Sequence, residues 1–353
     1  MGRKPKNVEA DDQEVVSTVT NDDNDIIKQY GDVIFSAKRV FENPPKILSI
    51  GPKLDIALGG GVPEGCCVVL TGPPKIGKTV TALSLAANAQ TIGTGDKEIP
   101  KRKVVYANIE GRLKIRDMNG IRGLDLSDEG FEIIGSSKGH LLTGQAYLNI
   151  LNYKINNLPY CIPIIDSFSA LVSDAELTAE IGTDHVAAMH RYISNFTKKY
   201  ANVLPINKVT LIGITHLMAN IQKFGAGKAT KEKSGNAIQY SQDVKLQATH
   251  KEPLKQGDEQ IGQSVHWVVE NSAIGPPGQK VVSHIKYGVG IWKEYEIAEL
   301  AKDFSVVESK GTWLLLPNGQ RIQGLTNLAT TLENDRELYE DLRSRVFEMV
   351  GIK

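Results

Sequence analysis

The chain has little cysteine, no long apolar run and no excess of charge of either sign. Three cysteines, Cys66, Cys67 and Cys161, stand among 353 residues. Two are adjacent and all lie in apolar, strand-like runs, so buried thiols in a reducing compartment fit better than a disulfide or a metal cluster. No apolar stretch approaches the roughly 18 residues of a membrane span. The opening "MGRKPKNVEADDQEVV" is polar and lacks the apolar segment of a secretory signal. A cytoplasmic protein without membrane partners is therefore expected. Lys plus Arg and Asp plus Glu each total 41. Zero formal charge argues against a polycation that coats nucleic acid, but it leaves room for a local basic groove, because binding answers to local fields.

Along the chain, residues 1–24 read as a polar, mobile tail. "DIIKQYGDVIFSA" then predicts a short amphipathic helix running into a strand. "ILSIGPKLDIALGGGVPEG" alternates apolar runs with glycine turns. From Cys66 the pattern is β-α alternation. "CCVVL", "KVVYANIE", "FEIIG", "YCIPIIDSFSAL" and "KVTLIGITHL" are apolar strands separated by helical stretches. The spacing of Val186, Met189, Ile193, Phe196 and Tyr200 predicts one helix with an apolar face. Such strands indicate a mostly parallel sheet covered on both faces. "DVKLQATH", "SVHWVVENS" and "QKVVSHIKYG" read as three antiparallel strands extending its edge. A smaller module follows from about residue 290.

Gly72, Pro73, Pro74, Lys75, Ile76, Gly77, Lys78 and Thr79 complete the pattern G-x-x-x-x-G-K-[ST] between a predicted strand and a predicted helix. Backbone N–H groups in such a loop point at phosphates, aided by the helix N-terminus; Val80 continues it. Lys78 would reach the β and γ phosphates of ATP, and the Thr79 hydroxyl would ligate Mg²⁺. Asp166, at the end of "IPIID" with Ser167 after it, is the candidate second metal ligand; a solvated strand-end aspartate is the plainer alternative. Glu110 closes "VVYANIE", a strand expected beside that of the phosphate loop. It is a candidate to activate water, or else a surface acid. His216 ends "LIGITH" in the same layer and is either a γ-phosphate sensor or a satisfied structural histidine.

The segment 218–239 holds Lys223, Lys228, Lys231 and Lys233 with three glycines and little apolar content. It reads as a long loop leaving the nucleotide edge of the sheet, suited to backbone contact with nucleic acid or simply solvated.

These motifs, in this order, resemble the bacterial RecA recombinase family over roughly residues 25–350. "GPPKIGKT" and "IIDSFSAL" look like its two nucleotide motifs. "AELTAEIGTDHVAAMHRYISNFTKKY" and "SGNAIQYSQDVKL" are similar to its two DNA-binding loops with the elements that follow them. "IKYGVGI" and "ESKGTWLLLPNGQRI" look like its small C-terminal domain. The resemblance implies that Glu110 activates water and that His216 replaces a sensing glutamine. It further implies that Val186 and Arg191 contact DNA from the first loop. In the second, Ile221 would be an apolar wedge, and Gly235 with Asn236 would contact phosphate. The paired lysines with which the family reaches ATP across a protomer interface fall near Glu270 and Ser272 here. Its adenine-stacking tyrosine falls near Asp117, and the basic residue past the sensor becomes Met218.

The fold expected is thus α/β: a P-loop ATPase core of RecA type with a mostly parallel central sheet flanked by helices. A helix-strand arm precedes it and a small α+β domain follows. The boundaries are a tail at 1–24, a protomer-docking arm at 25–45, the core at 46–288 and the C-terminal domain at 289–353. The implied function is an ATP-dependent recombinase using Mg²⁺, forming a homo-oligomeric helical filament on single-stranded DNA and pairing it with duplex DNA. An ssDNA-binding protein or loader is an expected partner, and a phage-encoded origin in a host cytoplasm is an expectation too. The alternatives are a DNA motor of the same fold (helicase or branch-migration ATPase) and a weakly hydrolysing regulatory DNA-binding protein.

Overall fold

The structure is a computed structural model. It describes residues 21–31, 33, 34, 37–178, 186–219, 230–232, 238 and 241–352. The chain divides into two compact units, Met1–Pro45 and Lys46–Lys353. In the first, helices span Asn21–Tyr30 and Ala37–Glu42. The strand expected in "DVIF" is not seen among the described residues, since 33 and 34 belong to none.

The second unit is built on a ten-stranded sheet. Its main strands are β1 Cys67–Gly72, β2 Val104–Asn108, β3 Phe131–Ile134, β4 Ile162–Asp166 and β5 Leu211–Ala219. They continue with β6 Val244–Gln256, β7 Glu259–Asn271, β8 Lys280–Lys286 and β9 Gly290–Ile291. The spatial order is β9-β8-β7-β6-β1-β5-β4-β2-β3. The pairs from β3 through to β6 are all parallel, and those from β6 to β9 are antiparallel. The sheet is therefore mixed and mostly parallel. Two expectations change. "DVKLQATH" is the second parallel neighbour of β1 rather than an antiparallel extension, so β1 is interior. The β2 strand does not adjoin β1, because β5 and β4 lie between them.

Alternation along the strands feeds two cores. Val68, Leu70, Tyr106, Ile164 and Ile212 pack on one face with Ala82, Leu83 and Ala86 of the helix Lys78–Thr91. Cys67, Val69, Val105 and Ile165 pack on the other with Leu148 and Leu151 of the helix Gly144–Asn157. Met189, Ile193, Phe196 and Tyr200 of the helix Val186–Tyr200 join that face, as their spacing predicts. Cys67 and Cys161 are buried and unpaired, and burial pushes all three thiols up to about 12, which leaves them protonated and inert.

Toward the C-terminus, helices Lys293–Asp303, Leu325–Asn334 and Arg336–Met349 enclose a third core with a three-stranded antiparallel sheet. Asp335 caps the last helix, its side chain accepting from the Leu338 N–H at 3.0 Å. Among the described residues, no helix is long and apolar enough to cross a membrane.

Candidate nucleotide site

A cleft of about 1170 Å³ opens at the carboxyl ends of β1, β2, β4 and β5. This is the edge where open parallel sheets hold ligands. Its lining includes Pro74, Lys75, Gly77, Lys78, Thr79 and Val80 from one side, Glu110 and Arg112 from another, and Asp166 and His216 between. Gly72, Pro73, Ile76 and Ser167 belong to the same loops without lining the cleft.

The loop after β1 takes its path from glycine. Gly77 has φ 114°, and a Cβ there would lie 2.6 Å from Ile285 Cδ1 and 3.1 Å from Gln263 Nε2. The angle calls for glycine, and any side chain would also have to push aside the ends of Ile285 and Gln263. The loop is held from outside as well. Lys251 Nζ donates to the Lys75 carbonyl at 2.7 Å, and Gln263 Nε2 donates to that of Ile76 at 3.2 Å.

Lys78 is only 4% exposed. Its ammonium donates to the carbonyls of Gly72 at 2.9 Å and Pro73 at 2.7 Å, and lies 3.3 Å from His216 Nδ1. Burial lowers its pKa to about 8, against the opposing pull of Asp166 and Glu110. Thr79 Oγ1 donates to Asp166 Oδ2 at 2.8 Å, and the Tyr106 hydroxyl donates to the same oxygen at 2.6 Å. Burial pushes the Asp166 carboxyl up while these two donors pull it down, and the net direction is upward.

Glu110 lies two residues past the end of β2. The backbone N–H groups of Ile109 and Glu110 both point to the Asp166 carbonyl, at 3.1 and 3.3 Å, which folds the turn toward β4. Glu110 thus reaches the cleft through β4 rather than from a strand beside β1. Its Oε1 meets Ser167 Oγ at 2.7 Å and His216 Nε2 at 2.8 Å; Arg112 stands 3.9 Å from Oε2. Burial acts to raise this carboxyl, but the hydrogen bonds of Ser167 and His216, with the charges of His216 and Arg112, bring it below the usual range. His216 is not at a strand end: it lies within β5, paired with Gly72, and its backbone N–H donates to Ser169 Oγ at 2.9 Å.

The structure therefore gathers Lys78, Thr79, Asp166, Glu110 and His216 into one connected polar group. Tyr106, Ser169 and Arg112 belong to it and escaped the sequence reading. A tyrosine within the otherwise apolar "VVYA" was the available signal, since a buried hydroxyl needs a partner.

The candidate DNA residues are described less fully. Arg191 is exposed on the helix that Val186 begins. Lys231 lies in the short strand Thr230–Glu232, which folds back antiparallel on β5 opposite Met218. The expected loop thus contains a strand pairing. Ile221, Lys223, Lys228, Lys233, Gly235 and Asn236 lie outside the described residues.

Glu270 and Ser272 have partners in their own chain. Lys245 Nζ lies 2.8 Å from Glu270 Oε2. Ser272 Oγ donates to the Leu58 carbonyl at 3.0 Å and accepts from the Gly275 N–H at 3.0 Å. Asp117 lines the cleft, its carboxylate accepting from the Lys114 N–H at 3.3 Å. Among the described residues, no group of three or more His, Cys, Asp or Glu side chains could hold a metal.

The family model for the RecA N-terminal domain matches residues 24–292. Protein RecA of Helicobacter hepaticus is 28% identical over 301 residues, which cover 85% of this chain and 83% of that protein. Protein RecA of Geobacter sulfurreducens is 29% identical over 333 residues, 93% of each. Protein RecA 2 of Myxococcus xanthus is 30% identical over 302 residues, 85% of this chain and 79% of that protein. A family match over most of the chain, with a P-loop at the carboxyl edge of a mostly parallel sheet, places this chain in the RecA family.

Proposed function

We propose that this chain is an ATP-dependent recombinase that polymerises on single-stranded DNA as a helical filament and catalyses homologous pairing and strand exchange. Family membership supplies the class of work, DNA recombination and repair with ATP and DNA bound. The observation that carries the finer reading is the hydrogen-bonded path Lys78–His216–Glu110–Ser167. It runs from the phosphate loop into β5, the strand that leads directly to the basic segment after residue 219.

The residues present fit ATP with Mg²⁺. The loop from Gly72 to Thr79 has its path fixed by glycine, a buried ammonium stands at its centre, and a hydroxyl–carboxylate pair lies beside it. Gly72 to Val80 would hold the phosphates, with Lys78 on the terminal ones, and Thr79 with Asp166 would hold Mg²⁺. Bound Mg²⁺–ATP supplies a hydrolysable phosphoanhydride bond. The Glu110 carboxylate would accept a proton from water at its Oε atoms once its present donors turn away. His216, bonded to both Glu110 and Lys78, would carry the state of the site into β5. Ser167 acts here by holding Glu110.

DNA would be held by Val186 and Arg191 from the first loop, and by Ile221, Lys223, Lys228, Lys231, Lys233, Gly235 and Asn236 from the second. Residues 25–45 would dock on a neighbouring protomer, and residues 289–353 would form the C-terminal domain. A cytoplasmic location accords with this work. The relatives named above are bacterial and lend no support to a phage origin.

One observation favours a second reading. With Glu270 paired to Lys245 and Ser272 closing a turn, neither position offers a cation to a neighbouring nucleotide. A DNA-binding protein with little hydrolysis would follow. The deciding experiment is fluorescence-detected strand exchange with ATP and Mg²⁺, using homologous and unrelated duplexes. Exchange confined to the homologous duplex is expected. Unwinding without a homology requirement would indicate a motor, and DNA binding with neither activity would favour the second reading.

A further inference from the structure

We propose that Tyr106 is a positioning residue for the divalent cation, holding Asp166 in the orientation from which it binds metal and so setting the Mg²⁺ affinity of the site. This rests on the reading of Asp166 as a metal ligand, and the experiment below separates the two.

The placement follows from strand register. Tyr106 pairs with Ile164 and Asn108 with Asp166 between β2 and β4. Tyr106 and Asp166 are therefore diagonal neighbours on one face, within reach of a side chain as long as tyrosine. That face also carries the helix that Lys78 begins, so the Thr79 hydroxyl arrives at the same place. The phenol ring is 1% exposed and stacks on Phe131, with ring centroids 6.2 Å apart and planes at 24°. Packing thus fixes the ring before it fixes the hydroxyl.

The consequence lies in which carboxylate oxygen is used. The Tyr106 hydroxyl and Thr79 Oγ1 both donate to Oδ2, at 2.6 and 2.8 Å. Among the described residues, Oδ1 accepts no hydrogen bond, so its lone pairs stay available to a cation. A single donor would leave the carboxylate free to rotate about its last torsion, which is broad for aspartate. Two donors converging on one oxygen define its plane. Partners of metal ligands commonly act in this way, and their loss typically costs about 10–100-fold in metal affinity.

The test is Tyr106→Phe, which removes one oxygen and keeps the packed ring. Binding of a fluorescent methylanthraniloyl derivative of ATP is followed at fixed nucleotide while Mg²⁺ is titrated, with a thermal melt in EDTA as a check of fold. The expected result is a rise of about tenfold or more in the Mg²⁺ concentration for half-saturation. The loss should be metal-specific: nucleotide binding in EDTA should shift far less than the Mg²⁺ curve, and saturating Mg²⁺ should recover most of the wild-type affinity. A Mg²⁺ curve that overlays the wild type would overturn the proposal and leave Tyr106 a core residue. Asp166→Asn separates the underlying reading: it should flatten the Mg²⁺ dependence, and adding Tyr106→Phe to it should change nothing more. If Asp166→Asn alone keeps the wild-type Mg²⁺ dependence, Asp166 is not the ligand and the role of Tyr106 falls with it.

Discussion

Nε2 of His216 lies 2.8 Å from Oε1 of Glu110, while Nδ1 of the same ring lies 3.3 Å from Lys78 Nζ. One imidazole therefore joins the acid expected to activate water to the ammonium expected to hold phosphate. His216→Ala should leave nucleotide affinity within about threefold of wild type, because the Lys78 contacts to the Gly72 and Pro73 carbonyls remain. ATP should no longer raise affinity for single-stranded DNA in this variant. Anisotropy of labelled DNA with and without ATP measures this, and an undiminished ATP effect would remove His216 from the coupling.

The Glu270–Lys245 pair yields a charge-swap prediction. Lys245 is nearly buried and Glu270 partly so. Glu270→Lys would set two ammonium groups together, at a cost of about 2 kcal/mol or more, lowering the melting temperature by several degrees. The double variant Lys245→Glu with Glu270→Lys should recover most of that loss. Its DNA-stimulated ATP turnover should exceed that of wild type. Turnover equal to wild type would mean this position does not limit the rate.

Glu299 gives a pH dependence of stability. Burial acts to raise its carboxyl, but hydrogen bonds and charge from His284 and Lys53 bring it down to about 2. His284 Nε2 stands 2.8 Å away, and Lys53 donates to the same oxygen. A carboxyl depressed on folding stabilises the protein above its unfolded pKa near 4.5, and that contribution is lost as pH falls toward 2. Glu299→Gln should be destabilised by on the order of 2 kcal/mol at pH 7. The gap to wild type should narrow steadily between pH 4.5 and 2. A gap independent of pH, measured by chemical denaturation, would assign the effect to packing.

Lys231→Ala with Lys233→Ala tests the basic segment. DNA affinity should fall, and the slope of log affinity against log salt should become shallower by up to about 1.4 for single strands, near 0.7 for each lost phosphate contact. An identical slope would place the DNA elsewhere.

Much of this was legible from spacing. The glycines at 72 and 77, the strand-to-helix context of Lys78 and the apolar face of the helix at 186–200 are local patterns, and local patterns survive folding unchanged. Strand order is not local. That β2 lies three places from β1, and that "DVKLQATH" returns in parallel beside β1, depends on which apolar strands pair, and all of them are apolar enough to pair with several others. The role of Tyr106 was hidden for the same reason. Its hydroxyl gains meaning only when register sets it diagonal to Asp166. Glu270 and Ser272 stand out in sequence as departures from a family pattern, but Lys245 and the Leu58 carbonyl, which meet them, come from segments distant along the chain.

The interior position of β1 has a mechanical consequence. The chain leaves along β5, where His216 pairs with Gly72 at the nucleotide edge, and comes back along β6, where Val244 pairs with Val68 at the opposite edge. The returning end is tied down. The Asp243 N–H donates to the Cys67 carbonyl at 2.9 Å, its carboxylate accepts from the Cys67 N–H at 2.8 Å, and Ile238 is fully buried. The basic segment thus leaves from the strand that carries His216, meets that strand again at Thr230–Glu232, and returns to a support at the opposite edge. A displacement of His216 along β5 would therefore reach the segment at two places, its start and the Thr230–Glu232 pairing, while the support at Asp243 and Ile238 rests on β1 and the core beneath it.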